Sequence, residues 1–292
     1  MNHKWIKKHC PSLKNKVVVV TGATGGLGKE ICFALASLDA TIVLACRNET
    51  LAKTLADKIK EKHPNARVDF VMLDLGDFQS VNSCIDKLKK YNGIDILINN
   101  AGVYNVPVKN LDSGFNNIFQ INFLYTYYLT KQLLPELEKK LNSTCITLSS
   151  IAHNYSKIDT NDIDFSSRKK PSKIYGNSKR FLTFSLFKLF KNSSVNLSIV
   201  HPGITLTNMT SHYPKCINWL VKFAVKILFP NPQKASRNVL FGINNHTTNN
   251  TWIGPKFCNI WGGPKLKKLK TCSIKESQKI CSITAELYKN LK

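Results

Sequence analysis

Tyr175 and Lys179 lie four residues apart in Ile174-Tyr175-Gly176-Asn177-Ser178-Lys179, a spacing that sets both side chains on one face of a helix. A phenol ionises near about 10 when unperturbed, and an ammonium beside it favours the phenolate. A tyrosine held in that way can act as acid or base near neutral pH. The same pair also occurs on ordinary helices, so its meaning depends on what else the chain carries. One such feature is the glycine-rich run from Thr21 through Gly22, Ala23, Thr24, Gly25, Gly26 and Leu27 to Gly28. Backbone of this kind can approach a pyrophosphate closely and offer it the free amides of a helix N-terminus. The rival reading is a sharp strand-to-helix connection, but the run follows an apolar β-branched stretch and precedes an amphipathic one, as a dinucleotide cradle would. A third feature closes the next apolar stretch, Leu44-Ala45-Cys46-Arg47-Asn48. A carboxylate there would bond a free ribose hydroxyl and repel a 2'-phosphate. The chain has none, and Arg47, with Asn48 beside it, offers a planar permanent charge suited to phosphate oxygens. This points to NADP(H), the alternative being a solvated surface arginine.

These residues need a scaffold. From residue 17 to about 200, short apolar runs alternate with longer amphipathic segments, the signature of repeated βαβ units. Strands are expected at 17–21, 41–46, 67–73, 95–99, 144–149 and 195–201, with helices between them. In 51–62 the spacing of Leu51, Leu55 and Ile59 predicts one apolar helix face. The predicted fold is α/β, a doubly wound, Rossmann-like parallel sheet forming a single domain over residues 1–292. Two segments break the alternation. Residues 158–172 are polar and read as a surface loop before a helix. Residues 206–229 follow a Pro-Gly turn and carry Trp219, Leu220, Phe223 and Ile227, which suits a substrate lid over 205–232, after the sixth strand. Residues 252–261 are expected to close the sheet edge, and 274–291 to form a terminal helix.

The glycine turn, Asn99-Asn100-Ala101-Gly102, Ser149-Ser150 and the Tyr175/Lys179 pair follow one another in the order found in short-chain dehydrogenase/reductases, which the chain resembles over nearly its whole length. Leu44 to Arg47, Leu97 to Val103, Ser149 to His153 and the long separation of Ser150 from Tyr175 resemble the retinol-dehydrogenase-like branch. The glycine spacing also fits extended sugar-nucleotide epimerases; Asn99 to Gly102 and the modest length favour the classical branch. The resemblance implies that Tyr175 exchanges the proton, that Ser150 holds the substrate oxygen, and that Lys179 binds the nicotinamide ribose and biases Tyr175 toward its anion. It implies that Asn122 holds a water in the proton relay and that Asp74 and Leu75 lie beside the adenine. Asn100, Ala101 and Gly102 would wall the adenosine ribose. Pro202, Gly203, Thr205 and Thr207 would grip the nicotinamide carboxamide. Ser149 is then structural, and His153 and His201 are pocket-wall or turn residues. The family also implies a homo-oligomer built through helices within 111–140 and 175–190.

A net charge of +24 attracts polyanions whatever the fold. The lysines are dispersed, however, and no nucleic-acid motif accompanies them, so no nucleic-acid partner is expected. Nine cysteines occur without a CxxC pair, and Cys32, Cys46 and Cys145 read as small buried hydrophobes in a reducing compartment. No metal site is expected. With no apolar signal segment before Pro11 and no run long enough to span a bilayer, the expected location is cytoplasmic. Peripheral membrane contact through Lys222, Lys226 and the basic run near Lys265 is an alternative. The expected activity is NADP(H)-dependent hydride transfer to or from a small-molecule carbonyl or alcohol of lipophilic character. The competing function is a non-catalytic NADP(H)-binding redox sensor, whose mark would be a broken Ser, Tyr and Lys set.

Overall fold

The computed structural model describes residues 3–154, 157–168, 170–203, 231–248, 251–269 and 273–291. Thr205, Thr207, Lys222, Lys226 and all of the expected lid except Asn231 and Pro232 lie outside the described residues.

The apolar runs are strands. β1 (Val17–Thr21), β2 (Thr41–Cys46), β3 (Arg67–Met72), β4 (Ile96–Asn99), β5 (Thr144–Leu148), β6 (Asn196–Val200), β7 (Thr251–Phe257) and β8 (Trp261–Lys268) form one sheet in the order 3-2-1-4-5-6-7-8. Every pairing is parallel except that of β8, which runs antiparallel to β7 at the edge. The strands are apolar almost throughout because both faces are covered. Val19, Val43, Leu97, Cys145 and Ile199 face a core shared with α4 (Phe78–Leu88), α6 (Tyr125–Glu138), α7 (Pro171–Phe190) and α9 (Ile274–Lys289). Their neighbours Val18, Val20, Ile42, Leu44, Ile98 and Ile146 face the opposite core, with α1 (His3–His9), α2 (Gly26–Ala36), α3 (Glu49–Lys62) and α8 (Pro232–Phe241). Alternate residues of one strand therefore feed two cores. The chain reverses its direction of travel across the sheet between β1 and β4, which opens a crevice at the C-terminal strand ends.

Three local expectations change. Leu51 is 48% exposed; the buried stripe of α3 is Ala52, Leu55, Ala56 and Ile59, and Leu51 sits a quarter-turn off its centre. The polar segment before α7 is not merely a surface loop, since Asp164 and Phe165 are buried. Asp164 accepts the Asn116 amide at 2.6 Å and the Ser166 hydroxyl at 2.7 Å, so polarity here serves an internal network. That segment also ends early, with Pro171 opening α7 at a position where its missing N–H costs nothing. The tail expected to close the sheet edge supplies two strands, β7 and β8. Among the described residues no helix is long and apolar enough to cross a membrane.

Candidate active site

The glycine turn sits where β1 meets α2, and a short network welds it to the end of β4. Thr21 Oγ1 accepts the amides of Asn100 and Ala101, both at 3.0 Å. Asn100 Nδ2 donates to the carbonyls of Thr21 (2.9 Å) and Gly22 (3.1 Å). Gly22 is at φ +63°, and a Cβ there would lie 2.9 Å from Ala101 Cα; a Cβ on Gly28 would lie 2.3 Å from the Gly22 carbonyl oxygen. Gly25 is the N-cap of α2, which begins at Gly26 and has no side-chain cap. The first-turn amides, including those of Leu27 and Gly28, thus have neither intrahelical acceptors nor a capping side chain. A backbone cradle that a Cβ would fill, ending in an uncapped helix, fits a dinucleotide pyrophosphate.

The adjoining strand ends carry the other expected cofactor residues. Thr24 bonds the buried Cys46 thiol, tying the turn to β2. Arg47 and Asn48 are exposed just beyond β2. Asn48 Oδ1 accepts the Leu51 amide at 2.8 Å as the cap of α3, and Arg47 places a cation beside it. After β3, Asp74 Oδ1 accepts the Gly76 amide at 2.8 Å, while the Leu75 side chain is buried in the core.

Ser149 and Ser150 follow β5 and point to different partners. Ser149 is buried and shares a 2.8 Å hydrogen bond with Thr183. Ser150 is half-buried, and its hydroxyl bonds the Tyr175 phenol. Tyr175 and Lys179 share a face of α7, with Lys179 Nζ 5.8 Å from the Tyr175 ring centre. Lys179 is 3% exposed and donates to the Leu148 carbonyl at 2.8 Å; burial pushes its pKa down to about 8. Burial raises the Tyr175 pKa, and the opposing Ser150 hydrogen bond is outweighed. The ring of Tyr104 meets that of Tyr175 edge-on at 5.0 Å.

Asn122 lies in a π-helical turn, Gln120–Leu124, between α5 (Asn117–Phe119) and α6, a distortion often found at functional sites. Its amide is fully engaged: Oδ1 accepts from Val103 N at 2.8 Å, and Nδ2 donates to Val103 O at 2.9 Å and Ser178 Oγ at 3.3 Å. At Gly102 a Cβ would stand 3.0 Å from Asn122 Oδ1 and 3.6 Å from Lys179 Nζ, so Gly102, Asn122 and Lys179 converge. Pro202 and Gly203 follow β6; the Pro202 carbonyl accepts from Asn238 Nδ2 at 3.0 Å, and Gly203 is at φ +93°. His153 and His201 are buried against Trp252, His153 edge-on with ring centres 5.3 Å apart and His201 stacked at 5.5 Å. Both have pKa values pushed by burial to about 4, which suits packing rather than proton exchange near neutrality.

The sequence reading missed Thr21, Tyr104, Gly176 and Arg180. A Cβ on Gly176 would lie 2.2 Å from the Ala152 carbonyl oxygen, so this glycine lets α7 close on the 3-10 turn Ile151–Asn154 that follows Ser150. Arg180, a cation at the head of the apolar run Phe181-Leu182, was visible as an anomaly on a buried helix.

A family model described as short chain dehydrogenase matches residues 16–216. Over 291 residues the chain is 29% identical to retinol dehydrogenase 13 of Homo sapiens, covering 97% of this chain and 80% of that protein. It is 34% identical to retinol dehydrogenase 12 of Mus musculus over 212 residues, 71% of this chain and 67% of that one. It is 32% identical to polyprenol dehydrogenase of Homo sapiens over 228 residues, 75% and 68% of the respective chains. Among solved structures, L-sorbose reductase from Gluconobacter frateurii complexed with NADPH and L-sorbose shares the fold, with a TM-score of 0.63 at 20% identity over 80% of this chain and 90% of that one.

Proposed function

Because the chain belongs to the short-chain dehydrogenase/reductase family, in its retinol-dehydrogenase-like branch, we propose that it is an NADP(H)-dependent reductase of lipophilic carbonyl compounds. The observation that carries this reading is the meeting of Ser150, Tyr175 and Lys179 at the C-terminal sheet edge, beside a glycine cradle shaped for a pyrophosphate. Gly22, Thr24 to Gly28, Asn100 to Gly102 and the uncapped N-terminus of α2 would hold the dinucleotide. Arg47 would meet the 2'-phosphate, and the NADPH reported in the L-sorbose reductase complex agrees with that preference. When bound, NADPH supplies the hydride. Ser150 fixes the substrate carbonyl oxygen, and Tyr175 gives that oxygen a proton as carbon is reduced. A phenol whose pKa is raised by burial holds its proton near pH 7, as the proton donor of a reduction must. Lys179 then supplies positive charge next to the phenolate left behind.

The lipophilic substrate is supported by the curated relatives, which are named for retinol and polyprenol, and by the partly buried Val103 and Val106, which pack with Tyr175 against the buried cluster Ile118, Phe165 and Ile174. The test is NADPH oxidation across aldehydes and ketones graded from short and polar to long-chain and polyene, with Tyr175→Phe as control. Turnover that rises with apolarity and is lost in the variant is the expected result. Turnover unaffected by Tyr175→Phe, or none on any carbonyl, would overturn the reading.

A further inference from the structure

Arg180 follows Lys179 on α7 and is 2% exposed. Its guanidinium grips Glu276 of α9 with two parallel bonds, Nε to Oε1 at 2.9 Å and Nη2 to Oε2 at 2.7 Å. Nη1 donates to the His153 carbonyl at 2.6 Å. His153 in turn holds the Ser150 carbonyl through its main-chain amide, at 3.1 Å, and through Nδ1. A closed circuit results: Tyr175 and Arg180 on one helix, Arg180 to His153, His153 to Ser150, and the Ser150 hydroxyl back to Tyr175. Glu276 orients the guanidinium from outside the circuit. Its Oε1 also accepts the Ile158 amide at 3.0 Å, and its own amide is capped by Ser273 at 3.2 Å.

We propose that Arg180 and Glu276 are a positioning pair that sets the approach of Ser150 to Tyr175, which makes the C-terminal helix part of the active-site scaffold. The proposal rests on the catalytic reading of Ser150 and Tyr175. Stability alone does not account for the pair, because desolvating two charges offsets most of their attraction and a packed apolar pair would serve as well. Geometry does account for it. A planar fork fixes direction in a way a lysine ammonium cannot, and here the third arm of the fork is spent on the turn that carries the serine.

The experiment uses the full chain labelled with 13C at tyrosine Cζ. The Tyr175 resonance is assigned by its loss in Tyr175→Phe, and Ser150→Ala marks its position when the serine bond is absent. In Arg180→Lys and the near-isosteric Glu276→Gln, the Tyr175 resonance is expected to move toward the Ser150→Ala position. The kcat on the best carbonyl should fall by about 10- to 100-fold, with NADPH affinity within about twofold of wild type. A resonance that stays at its wild-type position in both variants, whatever happens to Tm, would overturn the proposal, as would kcat within about twofold of wild type. If the wild-type protein turns over no carbonyl, the catalytic reading fails by itself, and the resonance alone decides whether the pair positions Ser150.

Discussion

Lys179 is buried with its charge, and that has a measurable cost. Its pKa is about 8 in the folded chain, against about 10.4 in an unfolded one. Between those values the unfolded chain binds the extra proton, so the contribution of Lys179 to stability grows as pH rises from about 8 to about 10.4. Below that window the penalty stands in full, on the order of 3 kcal/mol at most. Lys179→Met should therefore stabilise the cofactor-free protein at pH 7, and the gain should shrink toward pH 10. Denaturant unfolding of both proteins across that range checks it; a pH-independent difference would mean that the lysine is not held charged at a cost. The adjacent serines give a second test. Ser149→Ala loses only its bond to Thr183, so it should cost about 1–2 kcal/mol of stability and leave kcat near wild type. Ser150→Ala loses the bond its hydroxyl accepts from the Ala152 amide at 3.2 Å, so it should cost a comparable amount, about 1–2 kcal/mol, but lower kcat by about 100-fold or more. Equal kinetic losses in the two variants would erase the division of labour. Sequence order and family resemblance singled out Ser150. They could not show why: Ser149 turns into the core toward Thr183, and Ser150 into the crevice.

Elements deliver these side chains with small tolerances, and the contact of α7 with the turn after β5 is the tightest. A methyl group on Gly176 would have to displace either the helix or the Ala152 carbonyl, since 2.2 Å is far inside van der Waals contact. Gly176→Ala should therefore destabilise the protein by about 1–3 kcal/mol, although alanine is the better helix former. It should also lower kcat by about tenfold or more through displacement of Tyr175. A variant with wild-type kcat would show that the turn yields without moving the site. At this scale the sequence was legible where elements are buried on both faces: β1, β2 and β5 are continuous apolar runs, and their limits were foreseen to within a residue. It was less legible at the edge. β8 reads Trp-Gly-Gly-Pro-Lys-Leu-Lys-Lys and is exposed along most of its length, so no alternation marks it as a strand. Glu276 was equally hidden, because a carboxylate in the first turn of a terminal helix looks like an ordinary cap until its partner, 96 residues away, is seen.

The whole molecule carries a net charge of +24 and gains positive charge as its carboxylates protonate, so its acid limit is set by where new charge must go. His153 and His201 are the costliest destinations. Both pack against Trp252 between β6, β7 and the serine turn, and both are buried with folded pKa values of about 4. Protonation would force a charge onto rings whose His153 Nε2 and His201 Nδ1 have no hydrogen-bond partner among the described residues. Unfolded histidine titrates near about 6.5, so between pH 6.5 and 4 the unfolded chain binds the extra protons and stability is lost as pH falls, by on the order of 3 kcal/mol for each ring at most. Self-repulsion of the basic surface adds to this loss but is screened by salt, whereas the cost of charging a buried imidazole is not. His201→Gln, which retains an amide donor for the Asn259 carbonyl now bonded at 3.1 Å, should flatten the stability profile between pH 6.5 and 4.5. That flattening should persist at about 0.5 M salt, where surface repulsion is largely screened, while overall stability rises. If salt alone removes the acid loss and His201→Gln leaves it unchanged, surface charge governs acid unfolding and the histidines around Trp252 do not.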